Sequence, residues 1–129
     1  MKSSYRLALT LLVGTALGGA AIQALYAQAT PPVYVVIDIG EFTDPAGQKA
    51  NTDRSAAAVA ALSREFGGRS LARTEKIEAL DGTPPKRFII TAFDSMEKAR
   101  GWYNSPAQRE VNAVRTRTTK SRAFIVEGR

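Results

Sequence analysis

The side chains that this 129-residue chain lacks limit its chemistry more than those it contains. The sequence has no histidine and no cysteine, so a serine–histidine triad, a thiol nucleophile and a histidine general base are excluded. Metal sites built from imidazole or thiolate, and a haem held by histidine, are excluded as well. We therefore expect no metal and no cofactor. Any acid–base step would have to use a carboxylate, tyrosine, lysine or arginine.

Asp38 and Tyr34 are the candidates for catalysis. Both lie in the apolar segment Val33–Ile39, VYVVIDI, and the alternation of side chains along a strand places them on the same face. Burial would disfavour the charged form of the Asp38 carboxyl group and suit it to proton transfer. Alternatively, Asp38 lies near the end of the strand, hydrated or paired with Arg73 or Arg87, and Tyr34 packs in the core or an interface.

Two aromatic and two basic residues are candidates for ligand binding. Trp102 and Tyr103 are adjacent on a predicted helix, where neighbouring side chains point about 100° apart. We expect one of them to face the core and the other to border a pocket or a dimer interface, although packing alone would also account for both. Arg73 and Arg87 could hold a carboxylate or phosphate of a ligand, or lie solvated on an edge strand.

Four segments of the chain are predicted to form strands, because they are rich in β-branched and aromatic residues and bounded by turn signals. The second is more polar than the others and has charged residues, Glu75 and Lys76, where we expect a bulge or interruption. The predicted strands are Val33–Ile39, Arg69–Leu80, Arg87–Phe93 and Ala123–Glu127.

Two helices are predicted from their end signals. The first begins at Thr43-Asp44-Pro45, continues to about Phe66 and ends at Gly67-Gly68, which tolerates the left-handed conformation common after helices. The second begins after Asp94, and Glu97 three residues later fits a capping box with it.

A third helical segment carries much of the positive charge near the C-terminus. It begins at Ser105-Pro106, runs to about Thr118, and has an apolar stripe formed by Ala107, Val111 and Val114. We interpret the basic residues as solvated charges that complement the helix dipole, and expect no nucleic-acid partner. These residues are Arg109, Arg115, Arg117, Lys120 and Arg122.

The order of the elements, strand, helix, strand, strand, helix, strand, predicts a ferredoxin-like α+β sandwich. In this architecture the first and third strands are central in an antiparallel sheet and the helices cover one face. Because Val33–Ile39 and Arg87–Phe93 are apolar on both faces, the second face needs another layer. We expect a homodimer that packs sheet against sheet.

The N-terminal segment has the features of an export signal. Lys2 and Arg6 precede the apolar stretch Leu7–Ala21, and Ala27-Gln28-Ala29 fits a signal-peptidase site. We expect residues 1–29 to be a signal peptide cleaved after Ala29. Residues 30–129 would form a single periplasmic or secreted domain with no stable membrane insertion. The alternative is that the segment stays as an uncleaved membrane anchor.

Six short segments occur in an order typical of one protein family. They are Tyr34-Val35-Val36, Thr43-Asp44-Pro45, Phe66-Gly67-Gly68-Arg69, Pro85-Lys86-Arg87, Ala99–Pro106 and Arg122–Gly128. Together they resemble the family catalogued as domain of unknown function 1330, in the dimeric α/β-barrel group of ferredoxin-like proteins. The resemblance implies a dimer with a pocket between sheet and helices, and no particular activity. The chain departs from the family in its leader and in Gln108, where many members carry an aromatic residue.

The sequence therefore predicts an exported homodimeric domain that binds a small organic ligand between its sheet and helices. It leaves open whether the protein is an enzyme. One alternative is a cofactor-independent monooxygenase or isomerase of the kind found in the wider barrel group, with Asp38 and Tyr34 as the acid–base pair. The other is a structural dimer without a ligand.

Overall fold

Four strands and three helices follow one another in residues 31–129, the part of the chain that the computed structural model describes. The strands are β1 (Val33–Phe42), β2 (Arg69–Thr74), β3 (Arg87–Phe93) and β4 (Thr119–Glu127). The helices are α1 (Pro45–Glu65), α2 (Met96–Asn104) and α3 (Pro106–Thr118). The predicted leader, residues 1–29 with its cleavage site at Ala29, lies outside the described residues.

The strands form one antiparallel sheet in the order β2-β3-β1-β4. This topology, with β1 and β3 in the centre, confirms the predicted ferredoxin-like α+β fold. No helix in residues 31–129 has the length and apolar character needed to cross a membrane.

The hydrophobic core lies between the sheet and the helices. Its most buried cluster consists of Val33 and Val35 of β1, Phe93 of β3, and Ala99 and Trp102 of α2. The ring centroids of Phe93 and Trp102 are 5.3 Å apart, within the range of favourable aromatic pairs. Because side chains alternate along a strand, the even-numbered residues of β1 from Tyr34 to Asp38, before the irregularity between Ile39 and Glu41, point to the face of the sheet without helices.

The ends of α1 follow the signals in the sequence. The Asp44 carboxylate accepts a hydrogen bond from the backbone N–H of Gly47 at 3.0 Å, and Pro45 is the first helical residue. After the helix, Gly67 has a φ of 71°, a left-handed conformation that glycine adopts without steric cost. The predicted bounds of this helix are therefore correct to within one residue.

Helix α2 begins differently from the prediction. Ser95 is its N-cap, and the Ser95 hydroxyl accepts a hydrogen bond from the backbone N–H of Lys98 at 3.1 Å. The predicted capping box of Asp94 and Glu97 is wrong, because Asp94 lies one residue before the N-cap. Its carboxylate instead accepts a hydrogen bond from Arg69 at 3.0 Å.

Three strand boundaries also differ from the prediction, and the first is the end of β1, at Phe42 rather than Ile39. β2 ends at Thr74 rather than Leu80, because Glu75 leaves the sheet and pairs with Arg87 at the start of β3. The predicted interruption near Glu75 is therefore present as the end of the strand, and a further irregularity in the pairing lies between Ser70 and Ala72. β4 begins at Thr119, four residues before the predicted start, because β1 extends to Phe42 and supplies hydrogen-bonding partners for the additional residues.

Candidate functional site

A cavity of about 350 Å³ lies between the sheet and helices α1 and α3. Ile37 and Ile39 of β1 and Ile89 of β3 supply apolar lining from the sheet, and Val59 and Val111 add apolar side chains from α1 and α3. Small-molecule sites commonly begin at about 300 Å³ and are mostly apolar with a few polar groups. The cavity has the size and lining expected for a small ligand.

The α3 side of this cavity is polar. Gln108, Asn112 and Arg115 line it and are 3%, 9% and 5% exposed, and their spacing places them on one face of the helix. The predicted apolar stripe of α3, Ala107, Val111 and Val114, contains no buried residue, and of its members Val111 lines the cavity.

Hydrogen bonds explain how a polar helix face is accommodated. The Gln108 amide Nε2 donates to Asn112 Oδ1 at 3.1 Å, and Asn112 Nδ2 donates to the backbone carbonyl of Tyr103 at 3.4 Å. Arg115 Nη2 donates to the Tyr103 hydroxyl at 3.0 Å. At the end of the helix, the Thr118 hydroxyl donates to Gln48 of α1 at 2.8 Å. Much of the polar surface is therefore satisfied within the protein.

Four buried polar atoms of residues that line the cavity have no hydrogen-bond partner among the described residues. They are Trp102 Nε1, Gln108 Oε1, and Nε and Nη1 of Arg115. None of the ion pairs found in residues 31–129 includes Arg115. A buried cation without a counter-charge is costly, so packing does not account for Arg115 at this position.

Arg73 adds a second positive charge at the edge of the cavity. It extends from β2, contributes to the cavity lining and remains partly exposed. Partial burial of the side chain, together with the nearby charge of Arg87, lowers the pKa of Arg73 from its ordinary value. Arginine nevertheless stays protonated in proteins. Because the cavity lining includes no carboxylate, two cations give the site a positive potential.

Sequence analysis missed Arg115 and assigned no role to Gln108. Arg115 was expected to be solvated with its basic neighbours, which is wrong because the side chain is buried. The available signal was the polar series Gln108, Asn112 and Arg115, spaced by four and three residues like an apolar helix face. A polar series with the same spacing also fits an exposed helix face. Only the packing around α3 shows that this series is buried.

Asp38 and Tyr34 lie on the opposite face of the sheet from the cavity and do not line it. Asp38 accepts a hydrogen bond from Arg122 Nη2 on the neighbouring strand at 2.6 Å, rather than from Arg73 or Arg87. Four residues along a strand correspond to roughly 13 Å. The structure therefore does not bring Asp38 and Tyr34 into direct contact.

The four predicted ligand-binding residues divide between the cavity and its surroundings. Arg73 and Trp102 line the cavity, whereas Tyr103 does not line it but accepts a hydrogen bond from the lining residue Arg115. Arg87 lies outside it, with its guanidinium 5.1 Å from the Phe42 ring centroid and its Nε donating to Glu75 at 3.0 Å. Residues 31–129 contain no group of three or more acidic side chains placed to bind a metal ion.

The face of the sheet without helices carries apolar side chains, and we call it the open face. Cross-strand pairs identify its members, because directly opposed residues of an antiparallel sheet share a face. Phe124 and Val126 are 41% and 42% exposed. The larger apolar residues of the open face are Tyr34, Val36, Phe88, Ile90, Phe124 and Val126.

Solved structures of other proteins share this fold at low sequence identity. A protein of unknown function from Rhodopseudomonas palustris has a TM-score of 0.61 and 13% identity, covering 85% of this chain and 92% of that chain. A dimeric ferredoxin-like protein of unknown function from a Jannaschia species has a TM-score of 0.56 and 10% identity, covering 74% and 98%. SnoaB, a cofactor-independent oxygenase from Streptomyces nogalater, has a TM-score of 0.51 and 15% identity, covering 77% and 94%.

No curated protein matches the sequence. The profile of a family does, and it covers residues 32–129, nearly all of the part of the chain that the structure describes. As the resemblance predicted, the chain belongs to the family described as domain of unknown function (DUF1330).

Proposed function

We propose that this protein binds a small organic molecule in the cavity between the sheet and helices α1 and α3. The observation that carries the proposal is the combination of an apolar lining with four buried polar atoms that lack partners. Buried polar atoms in folded proteins are nearly always hydrogen-bonded to protein, water or ligand. The unpartnered atoms of Trp102, Gln108 and Arg115 therefore mark positions where polar atoms of a ligand would be bound.

A thermal-shift screen of small metabolites on residues 30–129 tests this function, because residues 31–129 form one compact unit. A ligand at 100 times its Kd stabilises the folded state by about 2.7 kcal/mol. The chain contains one tryptophan, Trp102, which lines the cavity. We expect a compound that raises Tm also to change the tryptophan fluorescence.

A matched pair of α1 variants locates the binding. Ala60 lines the cavity and Ala57, three residues earlier, does not. We expect Ala60→Phe to fill the cavity and abolish the Tm increase, and Ala57→Phe to retain it. A screen without stabilising compounds, or stabilisation that persists equally in both variants, would contradict the proposal.

We further propose that the protein is a homodimer in which the open faces of two copies pack together. The exposed Phe124 and Val126 support this arrangement, since apolar patches of this kind usually mark an interface. The Jannaschia protein of the same fold is itself described as dimeric. A twofold axis would bring the same patch of each copy together.

Light scattering on purified protein tests the dimer. We expect twice the mass of one chain for the wild type and the mass of one chain for Phe124→Glu, because that change would bury a charge between the sheets. Leu80→Glu is the control, since Leu80 is 97% exposed outside the sheet. A monomeric wild type, or a dimer unaffected by Phe124→Glu, would exclude this interface.

We also propose that the protein is exported and that its leader is removed after Ala29. The support is the order of basic n-region, apolar stretch and Ala27-Gln28-Ala29 site. Mass spectrometry of protein from a bacterial periplasmic extract tests this, with a mature chain beginning at Thr30 as the expected result. A full-length chain in the membrane fraction would support the uncleaved anchor instead.

The alternative function is that of a cofactor-independent oxygenase, and the fold shared with SnoaB favours considering it. A reaction in the cavity would have Tyr103 and Arg115 nearby, whereas Asp38 and Tyr34 lie on the open face. Compounds from the thermal-shift screen can be tested for oxygen consumption without added metal or flavin. Under the binding proposal no oxygen is consumed. Consumption that is lost in Tyr103→Phe and kept in Asp38→Asn would establish the alternative.

A further inference from the structure

We propose that the ligand of the cavity is an organic anion, a small carboxylic acid with an apolar body, and that Arg115 binds its carboxylate. The inference rests on the proposed binding function, because it names the class of ligand. It depends on the surroundings of Arg115, on the charge of the whole lining and on the shape of the apolar part of the cavity.

Arg115 is a buried cation with most of its hydrogen-bonding capacity unused. The side chain is 5% exposed, and Nη2 donates to the Tyr103 hydroxyl at 3.0 Å. Nε and Nη1 have no partner within residues 31–129. The Tyr103 contact fixes the guanidinium in place, but a neutral hydroxyl supplies no counter-charge. The group is therefore oriented for a negatively charged acceptor.

The acidic residue of α3 itself, Glu110, is exposed and does not line the cavity, and two acidic residues of β1 are paired elsewhere. Glu41 is within 2.7 Å of Lys120, and Asp38 is within 2.6 Å of Arg122. Neither of these two β1 carboxylates lines the cavity. Within the described residues, the counter-charge for Arg115 has to come from a bound molecule.

A carboxylate would satisfy the unpartnered donors better than other common anionic groups. Its two oxygens can accept from the guanidinium and from the indole Nε1 of Trp102, which also lines the cavity. A phosphate carries close to two negative charges and three strong acceptor oxygens, more than one buried guanidinium and one indole can satisfy. Arg73 at the edge of the cavity adds attraction for an entering anion.

The remaining lining indicates the rest of the ligand. An apolar region lies next to the polar side and is formed by Ile37, Ile39 and Ile89 of the sheet and Val59 of α1. Such a region suits a hydrocarbon chain or an aromatic ring. Gln108 Oε1 is an unpartnered acceptor and would take a hydrogen bond from a hydroxyl of the ligand or from a bound water. A short-chain or single-ring monocarboxylic acid fits these features.

Matched titrations of residues 30–129 test the assignment. The probes are benzoate, phenylacetate and hexanoate, each compared with its neutral amide, and the readouts are Trp102 fluorescence and Tm. We expect at least one acid to bind and its amide to bind roughly 10- to 100-fold more weakly, as for loss of a charge-assisted hydrogen bond. Arg115→Gln should lose this preference, and Arg115→Lys should keep part of it.

Two controls separate ligand binding from a structural role of Arg115. Arg109 is an exposed arginine on the same helix, and Arg109→Gln should bind the acids as the wild type does. Without ligand, Arg115→Gln should have a Tm equal to or above that of the wild type, because it removes an unpaired buried charge. A purely structural arginine would give a lower Tm on removal.

Equal binding of acid and amide, or undiminished acid binding by Arg115→Gln, would overturn the anion assignment and leave the binding function standing. A lower Tm of ligand-free Arg115→Gln, with acid binding also unchanged in Arg115→Lys, would assign Arg115 to structure. No response to either series, in a protein that also gives no hit in the metabolite screen, would overturn the assignment and the binding function together.

Discussion

Helices α2 and α3 follow each other with only Ser105 between them, yet they bury opposite kinds of side chain. α2 buries Ala99 and Trp102 against Phe93 of the sheet. α3 buries a polar row that includes Gln108 and Arg115. One helix closes the core and the other borders a cavity, and both lie over the same face of the sheet.

The difference shows which part of the domain maintains the fold and which part is available for function. Apolar surface buried at α2 contributes directly to stability, at about 25 cal/mol for each Å² removed from water. Burying polar groups at α3 contributes little, and the unpaired guanidinium of Arg115 opposes folding. Natural proteins keep such costly groups mainly where binding or catalysis requires them.

The largest expected effect comes from removing an aromatic ring on the α2 side. Phe93 is 0% exposed and packs on Trp102, so Phe93→Ala should lower the free energy of unfolding by about 3–5 kcal/mol. Urea denaturation measures this change. Phe124→Ala is the comparison, because Phe124 lies on the open face. Its effect should be much smaller at protein concentrations where the chain is monomeric, and equal effects would contradict the assigned location of the core.

Gly101 tests how closely α2 packs. A Cβ atom at this position would lie 2.7 Å from Cε1 of the Phe66 ring, a separation that forces the ring or the helix to move. Gly101→Ala should therefore destabilise the protein by about 1–3 kcal/mol, although alanine is favoured over glycine in helices by about 1 kcal/mol. Thermal denaturation checks the sign. A higher Tm would mean that Phe66 moves aside at little cost.

On the α3 side, removing the charge of a buried side chain should raise the stability of the protein instead of lowering it. Arg115→Met keeps much of the side-chain volume and removes the unpaired guanidinium, so the ligand-free protein should gain about 1–2 kcal/mol of stability. The exposed Arg109→Met should change stability by less than about 0.5 kcal/mol. Chemical denaturation of both variants without ligand makes the comparison. A loss of stability in Arg115→Met would show that the Tyr103 contact outweighs the cost of the charge.

The smallest expected effect is a pH dependence at the start of α2. The hydrogen bond from Arg69 and the charge of the same guanidinium lower the pKa of Asp94 from its ordinary value. Because the pKa is depressed in the folded state, the pair stabilises the protein at pH values above the unfolded pKa of about 4. This contribution is lost as the pH falls through the lower pKa of the folded state. Since Asp94 is fully exposed to solvent, salt should screen the effect.

Arg69→Gln checks this pH dependence. Tm measured between about pH 2 and pH 6 should fall less steeply on acidification in Arg69→Gln than in the wild type. Arg64→Gln, which removes an exposed charge from the end of α1, is the control and should keep the wild-type slope. Parallel curves for wild type and Arg69→Gln would show that the ion pair does not contribute.

Most of the fold could be predicted because its signals are local. The β-branched run of β1 and the caps of α1 at Asp44 and Gly67 act within a few residues. Their order in the chain is enough to indicate the ferredoxin-like arrangement. The boundaries that failed, the end of β2 near Thr74 and the start of β4 at Thr119, depend on which partner strand supplies hydrogen bonds. A partner strand is distant in sequence, so no local pattern defines these boundaries.

The candidate site was less predictable for the same reason. Trp102 and Arg73 were among the predicted binding residues and line the cavity, but so does Arg115, which looked like one more basic residue of a solvated helix. Asp38 was selected because it interrupts an apolar strand, and Tyr34 because it lies on the same face as Asp38. When a strand is apolar on both faces, its sequence does not show which face the helices will cover.

The sequence by itself determined which kinds of chemistry the protein lacks and which elements form the domain. It excluded histidine and cysteine chemistry, placed the strands and helices in order, and carried the features of its family. Only the tertiary structure decided which face of β1 the helices cover and that α3 turns Arg115 inward. Burial depends on what packs against a side chain from distant parts of the chain, and the charge and spacing of neighbouring residues do not contain that information.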